Sequence, residues 1–138
     1  MQNVPFSNFK GVRVVRLGTP RAHGEGLRIG TVRRPPRGVR KEETTARDFY
    51  DVWFPLLAPS VETMEAFRKA RTDPAWRRFV RAYHKEMSRP DARHALDLLA
   101  ALSHRTSFSV GCYCEDETRC HRSVLRALLE EHGAELVR

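Results

Sequence analysis

The stretch Phe108-Ser109-Val110-Gly111-Cys112-Tyr113-Cys114-Glu115-Asp116-Glu117-Thr118-Arg119-Cys120-His121-Arg122-Ser123 constrains the fold most, because its pattern changes within a few residues. Phe108 to Cys114 is apolar or small and carries no charge, which is how a strand covered on both faces reads. Three acids then make a turn. From Arg119 to about Glu131 the period becomes helical, with Val124, Leu125, Leu128 and Leu129 on one stripe and Thr118 placed as the N-cap. Gly133 stands where a helix-ending glycine belongs. A buried strand that runs straight into a helix belongs to α/β architecture, and such folds collect ligands at the carboxyl ends of their strands.

The remaining segments agree with that class. Val12 to Leu17 and Leu27 to Val32 are β-branched runs closed by glycine and proline, and read as two further strands. Glu42 to Leu57 places Phe49, Val52, Trp53 and Leu56 at helical spacing, so a helix distorted by Pro55 is expected there, its aromatics mainly in the core. Ser60 caps Val61 to Arg71, and Asp73-Pro74 opens a helix through Met87 with Trp76, Phe79, Val80, Tyr83 and Met87 inward. Pro90 or Asp91 opens another to about Leu102, with Ala92, Leu96, Leu99 and Leu102 inward. Leu136-Val137 reads as a last short strand. The expected fold is a single α/β domain over residues 1–138, three-layer-like, with a small, mainly parallel sheet and a long helical crossover.

Length and composition set outer bounds. With 138 residues and 41% hydrophobic side chains the chain can bury a core of its own, and it carries no internal repeat. Its apolar runs are too short to cross a bilayer, which takes about 20 residues. Met1 to Phe6 shows neither the charged nor the apolar region of a secretory signal. Three cysteines crowded into nine positions do not make a disulfide framework. A cytoplasmic protein without membrane association is expected.

Charge is the second constraint. Residues 1–41 hold ten Lys/Arg and a lone acid, Glu25, while the rest is nearly balanced, so the whole +8 excess sits in the first third. A local basic field suits a phosphate-bearing or polyanionic partner. Arg28 lies on a strand, on the face opposite Leu27. Arg33-Arg34-Pro35-Pro36-Arg37-Gly38-Val39-Arg40-Lys41 is a loop that prolines hold extended, a form that presents arginines to an anion at low entropic cost.

The cysteine turn offers several chemistries. Arg119, Cys120 and His121 at the start of a helix have backbone N–H groups free for an anion, and Arg122 adds a bidentate donor. The same setting lowers a thiol's pKa, making Cys120 the candidate nucleophile with His121 beside it. Cys112, Cys114, Cys120 and His121 resemble a C-x-C-x5-C-H metal set. However, adjacent ligands diverge on a helix and C-x-C is tighter than the usual spacing, so no metal site is assigned from the sequence. A Cys112–Cys114 disulfide would stretch over two strand steps, about 6.6 Å. Glu115, Asp116 and Glu117 favour the positive end of the following helix, with a catalytic or Mg²⁺-binding carboxylate as the other reading.

Gly26-Leu27-Arg28-Ile29, the Arg33–Lys41 loop, Trp53 with Leu57-Ala58-Pro59-Ser60, the run Trp76 to Met87 and Cys120-His121-Arg122-Ser123 occur in this order across nearly the whole chain. In these features the chain resembles the YeaO-like branch of the bacterial and archaeal proteins grouped as domain of unknown function 488. The resemblance implies a small cytoplasmic α/β domain and carries over no activity, cofactor or oligomeric state. The functional expectation is therefore a binder or enzyme acting on a phosphate-bearing ligand, a nucleotide or nucleic acid. Arg28, Arg33, Arg34, Arg37 and Arg122 would hold the anion, and Cys120 and His121 would be available for acid, base or nucleophilic work. A cysteine-based redox or metal-binding protein and a non-catalytic interaction module are the alternatives.

Overall fold

A computed structural model describes residues 10–137 of the chain. The Met1–Phe6 segment read above for a signal lies outside them. Four strands, β1 (Gly11–Arg16), β2 (Leu27–Gly30), β3 (Val52–Trp53) and β4 (Ser107–Cys112), form a sheet in the order β1-β4-β2-β3. Every pairing is parallel. The helices are α1 (Val61–Ala70), α2 (Asp73–Met87), α3 (Pro90–Leu102) and α4 (His121–Glu131). Parallel neighbours need crossover connections, and the three consecutive helices α1 to α3 make the long one between β3 and β4.

Strand β4 lies between β1 and β2 and is buried along nearly its whole length, which accounts for its uncharged sequence. Along the register Val12, Phe108 and Val110 share a face with Ile29. They enter one core with Phe67 of α1, Phe79, Tyr83 and Met87 of α2, Leu96 and Leu99 of α3 and Leu125, Leu128 and Leu129 of α4. The opposite face carries Ser109 and Arg28. It is covered by chain outside the helices, where Phe49 and Tyr50 pack with Leu17, Val32, Cys112 and Cys120 in a second, smaller cluster. The sheet is thus the middle of three layers.

Local chemistry sets most boundaries. The side chain of Ser60 accepts from the Thr63 N–H and that of Thr72 from Ala75, while Pro74 and Pro90 sit in first turns, where a missing donor costs nothing. After α4 the Gly133 N–H donates to the Glu130 carbonyl and Ala134 to Leu129, a Schellman ending that needs the left-handed φ of 91° at Gly133. At Gly26, φ is 81° and a Cβ would stand 2.1 Å from the Ser107 carbonyl, so only glycine allows β2 to start against β4.

Four readings are corrected. Glu42 to Leu57 is not a helix. A 3-10 turn at Lys41–Glu43 leads through Asp48, whose φ of 62° interrupts any helix, into the two-residue β3 and a second 3-10 turn at Pro55–Leu57. Its aromatics divide: Tyr50 is buried, whereas Trp53 is 44% exposed and ties its indole N–H to the Val32 carbonyl. β4 ends at Cys112 and does not run on to Cys114. Leu102 is exposed, because the inward stripe of α3 shifts to Ala100. Leu136 forms only an isolated bridge to Val12.

Candidate functional site

The chain ends of β2 and β4 lie side by side, and beyond them opens a cavity of about 870 Å³. One wall is the loop Arg33 to Arg37, another comes from α1, and the floor is the turn from Cys112 to His121. The cavity lies after Cys114, where the fold rule places a ligand site.

The floor forms because α4 starts two residues later than expected. Thr118 belongs to a 3-10 turn, Glu117–Arg119, capped by Asp116, and Cys120 is the N-cap of α4. Its extended backbone, φ −133° and ψ 151°, lets its sulfur accept from the Arg122 N–H at 3.5 Å. His121 therefore opens the helix rather than following Cys120 along it. Cys112 Sγ and Cys120 Sγ are 2.9 Å apart, and Cys120 Sγ lies 3.8 Å from His121 Nδ1. The Cys114 N–H turns back onto Cys112 Sγ at 3.4 Å. Ligand atoms of Cys112, Cys120 and His121 all fall within 4.8 Å of one another, and all three residues are buried.

His121 Nε2 sits 2.7 Å from the Thr31 carbonyl, which can only accept. Nε2 therefore carries the proton, and Nδ1 turns its lone pair towards Cys120. Burial pulls the His121 pKa down to about 4, so the ring is neutral at pH 7. Tyr83 packs edge-on against it at 5.5 Å and donates its hydroxyl to the Leu57 carbonyl.

The thiols divide by position. Hydrogen bonds with Cys114 and Cys120, together with burial, push Cys112 up. At Cys120 the hydrogen bond with Cys112 pulls downward, but Cys114 and burial outweigh it and the thiol reaches about 11. Cys114 is exposed and is held well below the ordinary thiol range by hydrogen bonds from the other two, with the Arg122 charge adding to the effect. The thiol whose pKa falls is thus Cys114 and not Cys120, because burial at the N-cap outweighs the helix terminus.

The arginines expected to hold an anion do not all meet. Arg33, Arg34 and Arg37 line the cavity. Arg33 donates to the Pro59 and Ala58 carbonyls and so fastens the loop to the start of α1. Arg34 and Arg37 are exposed, and among the described residues no hydrogen bond or ion pair engages the Arg37 guanidinium. Arg122 is 3% exposed and lies behind the floor, donating to the Cys114 carbonyl. Its Nε has no partner among the described residues. Arg28 is elsewhere. It is 1% exposed, bonded to Glu25 at 2.7 and 3.0 Å and to the Thr19 and Asp48 carbonyls, with Ser109 also donating to Glu25. The Glu25-x-x-Arg28 spacing was the sequence signal for this pairing.

Three cavity arginines were missed. Arg68 and Arg71 come from the end of α1, and Arg119 from the 3-10 turn. Arg71 stacks over Phe67 at 4.9 Å, while Arg68 and Arg119 pair with Glu65 and Asp73. In sequence they look like ordinary solvated helix charges. Glu115 and Asp116 also reach the cavity, on the same β4-side turn as Arg119, so its charge is divided, with the other arginines on the Arg33–Arg37 loop and at the end of α1.

Among the described residues no helix is long and apolar enough to cross a membrane. No curated protein and no solved structure matches the chain. A family model does match, over residues 12–133, from the first strand to the glycine that ends α4. It spans every element that builds the cavity, and its description reads "Active DUF488-N3 subclade". The chain accordingly belongs to the domain of unknown function 488 family, in the subclade DUF488-N3a.

Proposed function

We propose that the cavity binds a nucleotide phosphate, carried either by a free nucleotide or by a nucleic acid strand. The observation that carries this reading is the Arg33–Arg37 loop. Arg33 fastens it to the start of α1, it bends at Arg33–Arg34 and turns at Arg37–Gly38, and Arg34 and Arg37 stand at the cavity with exposed guanidiniums. Anchored backbone with free guanidiniums offers phosphate donors whose ordering cost is already met by folding. Arg68, Arg71 and Arg119 extend the basic wall, and Phe49 and Tyr113 give apolar surface for a base. A volume of about 870 Å³ lies within the range of small-ligand sites.

The acids Glu115 and Asp116 direct the phosphate away from the β4 side, towards the loop. In this reading Cys120 and His121 form the wall behind the ligand, and the thiol that faces it is Cys114. Isothermal titration with nucleoside 5′-monophosphates and with a single-stranded oligonucleotide tests the proposal. Binding that weakens about tenfold or more in Arg37→Ala supports it, and absence of binding to either probe sinks it. A salt slope of several counterions with the oligonucleotide, against a shallow one with the mononucleotide, identifies the strand as the source.

A further inference from the structure

The geometry points to a tetrahedral site for a zinc-like divalent cation at the floor of the cavity, built by Cys112, Cys120 and His121 with Cys114 as the fourth ligand on the open side. Two features of the fold remove the objections that spacing alone raises. Cys120 is an N-cap with extended backbone and His121 is the first helical residue, so the adjacent side chains converge. Their Sγ···Nδ1 distance of 3.8 Å is close to the roughly 3.6 Å edge of a zinc tetrahedron with one sulfur and one nitrogen ligand. The chain turns after Cys112, so the C-x-C pair is a loop whose Cys114 N–H points at Cys112 Sγ, with Cys114 exposed on the cavity beside the other three.

The surroundings suit a metal. The Thr31 carbonyl fixes the proton on His121 Nε2, leaving Nδ1 as the donor atom, which is how a carbonyl orients a metal-bound imidazole. The Cys114 and Arg122 N–H groups aim at Cys112 and Cys120 sulfurs, as expected around thiolates. A divalent cation with three thiolates carries a net charge of −1. The buried Arg122 guanidinium, which donates to the Cys114 carbonyl and has an unpartnered Nε, supplies the balancing +1. The 2.9 Å between Cys112 and Cys120 sulfurs must open to about 3.8 Å, a side-chain adjustment, when zinc bonds at about 2.3 Å replace the thiol contact. Binding expels the thiol protons to solvent.

The test is Co²⁺ titration of the reduced full-length protein without oxygen, followed by Zn²⁺ displacement. One Co²⁺ per chain, with visible bands of tetrahedral cobalt and near-ultraviolet thiolate-to-cobalt charge transfer, is the expected result. Zn²⁺ should abolish those bands and slow alkylation of Cys114 at least tenfold. Cys120→Ser should weaken uptake about a hundredfold or more, whereas Arg37→Ala should leave it unchanged, which separates this site from the phosphate reading. Octahedral or absent cobalt bands in the wild-type protein overturn the proposal. So does undiminished uptake by a Cys120→Ser variant whose circular dichroism matches wild type.

Discussion

Arg28 and Arg37 come from the same basic third of the chain and meet opposite fates. Arg28 is on a strand three residues after an acid, and folding closes around the pair until the guanidinium is 1% exposed with four hydrogen bonds. Arg37 follows two prolines in a loop, makes no ion pair among the described residues, and lines the cavity. The difference teaches that a basic block is not one functional unit. A positive charge with a partner acid at short range is used to hold the fold, while one on a turning loop remains exposed at the cavity.

Removing each arginine breaks the comparison most directly. Arg28→Ala leaves the Glu25 carboxylate buried without its partner and should cost about 3–5 kcal/mol in urea unfolding, whereas Arg37→Ala should change stability by less than about 0.5 kcal/mol. A comparable loss for both variants would mean that the two arginines are not in different roles.

Acid should have a similar effect on the buried pair. Burial pushes the Glu25 pKa up, but hydrogen bonds from Arg28, Ser109 and the Ala22 N–H outweigh it and hold the value at about 2, below the ordinary 4.5. Because the folded-state value is the lower one, the stabilisation is fully present above about pH 4.5. It is lost as pH falls towards 2, amounting to about 3 kcal/mol. Glu25→Gln should flatten the acid limb of stability against pH over that window, and an unchanged limb would show that another carboxylate governs it.

Ligand affinity supplies the next contrast. Arg34→Ala and Arg37→Ala should each weaken phosphate-bearing ligands by about 1.4 kcal/mol, roughly tenfold, with stability unchanged. Equal affinity in the double variant would remove the loop from the site. Arg126 sharpens the scale at its small end. It pairs at 2.7 Å with Glu117, both partly exposed. Glu117→Gln should cost only about 0.2–1 kcal/mol by thermal unfolding, since exposed pairs are solvated on both sides.

Much of the architecture was legible because its signals are local. Hydrophobic period, Ser60 as a cap, prolines in first turns and Gly133 after a helix are dictated by neighbours within a turn, and all four helices follow them. The stretch from residue 42 to 57 was misread because β3 rests on pairing with β2, which no local period encodes. Its helical spacing of Phe49, Val52 and Trp53 is accidental once Asp48 takes a left-handed φ. Leu102 was read as inward from a stripe that the packing of α3 rotates by a fraction of a turn.

The sequence alone determined the α/β class, the run from a buried β4 into α4, and the crowding of cysteines, histidine and arginines at that junction. The reason is that periodicity and chain adjacency survive any choice of tertiary arrangement. Only the tertiary structure decided that Arg28 is a strut, that Arg68, Arg71 and Arg119 join the cavity, and that Cys120, His121 and Cys112 converge while Cys114 stays open. Those outcomes depend on burial and on contacts between residues far apart in sequence. A shift of the α4 N-cap by two positions, from Thr118 to Cys120, was enough to turn diverging helical neighbours into a converging pair.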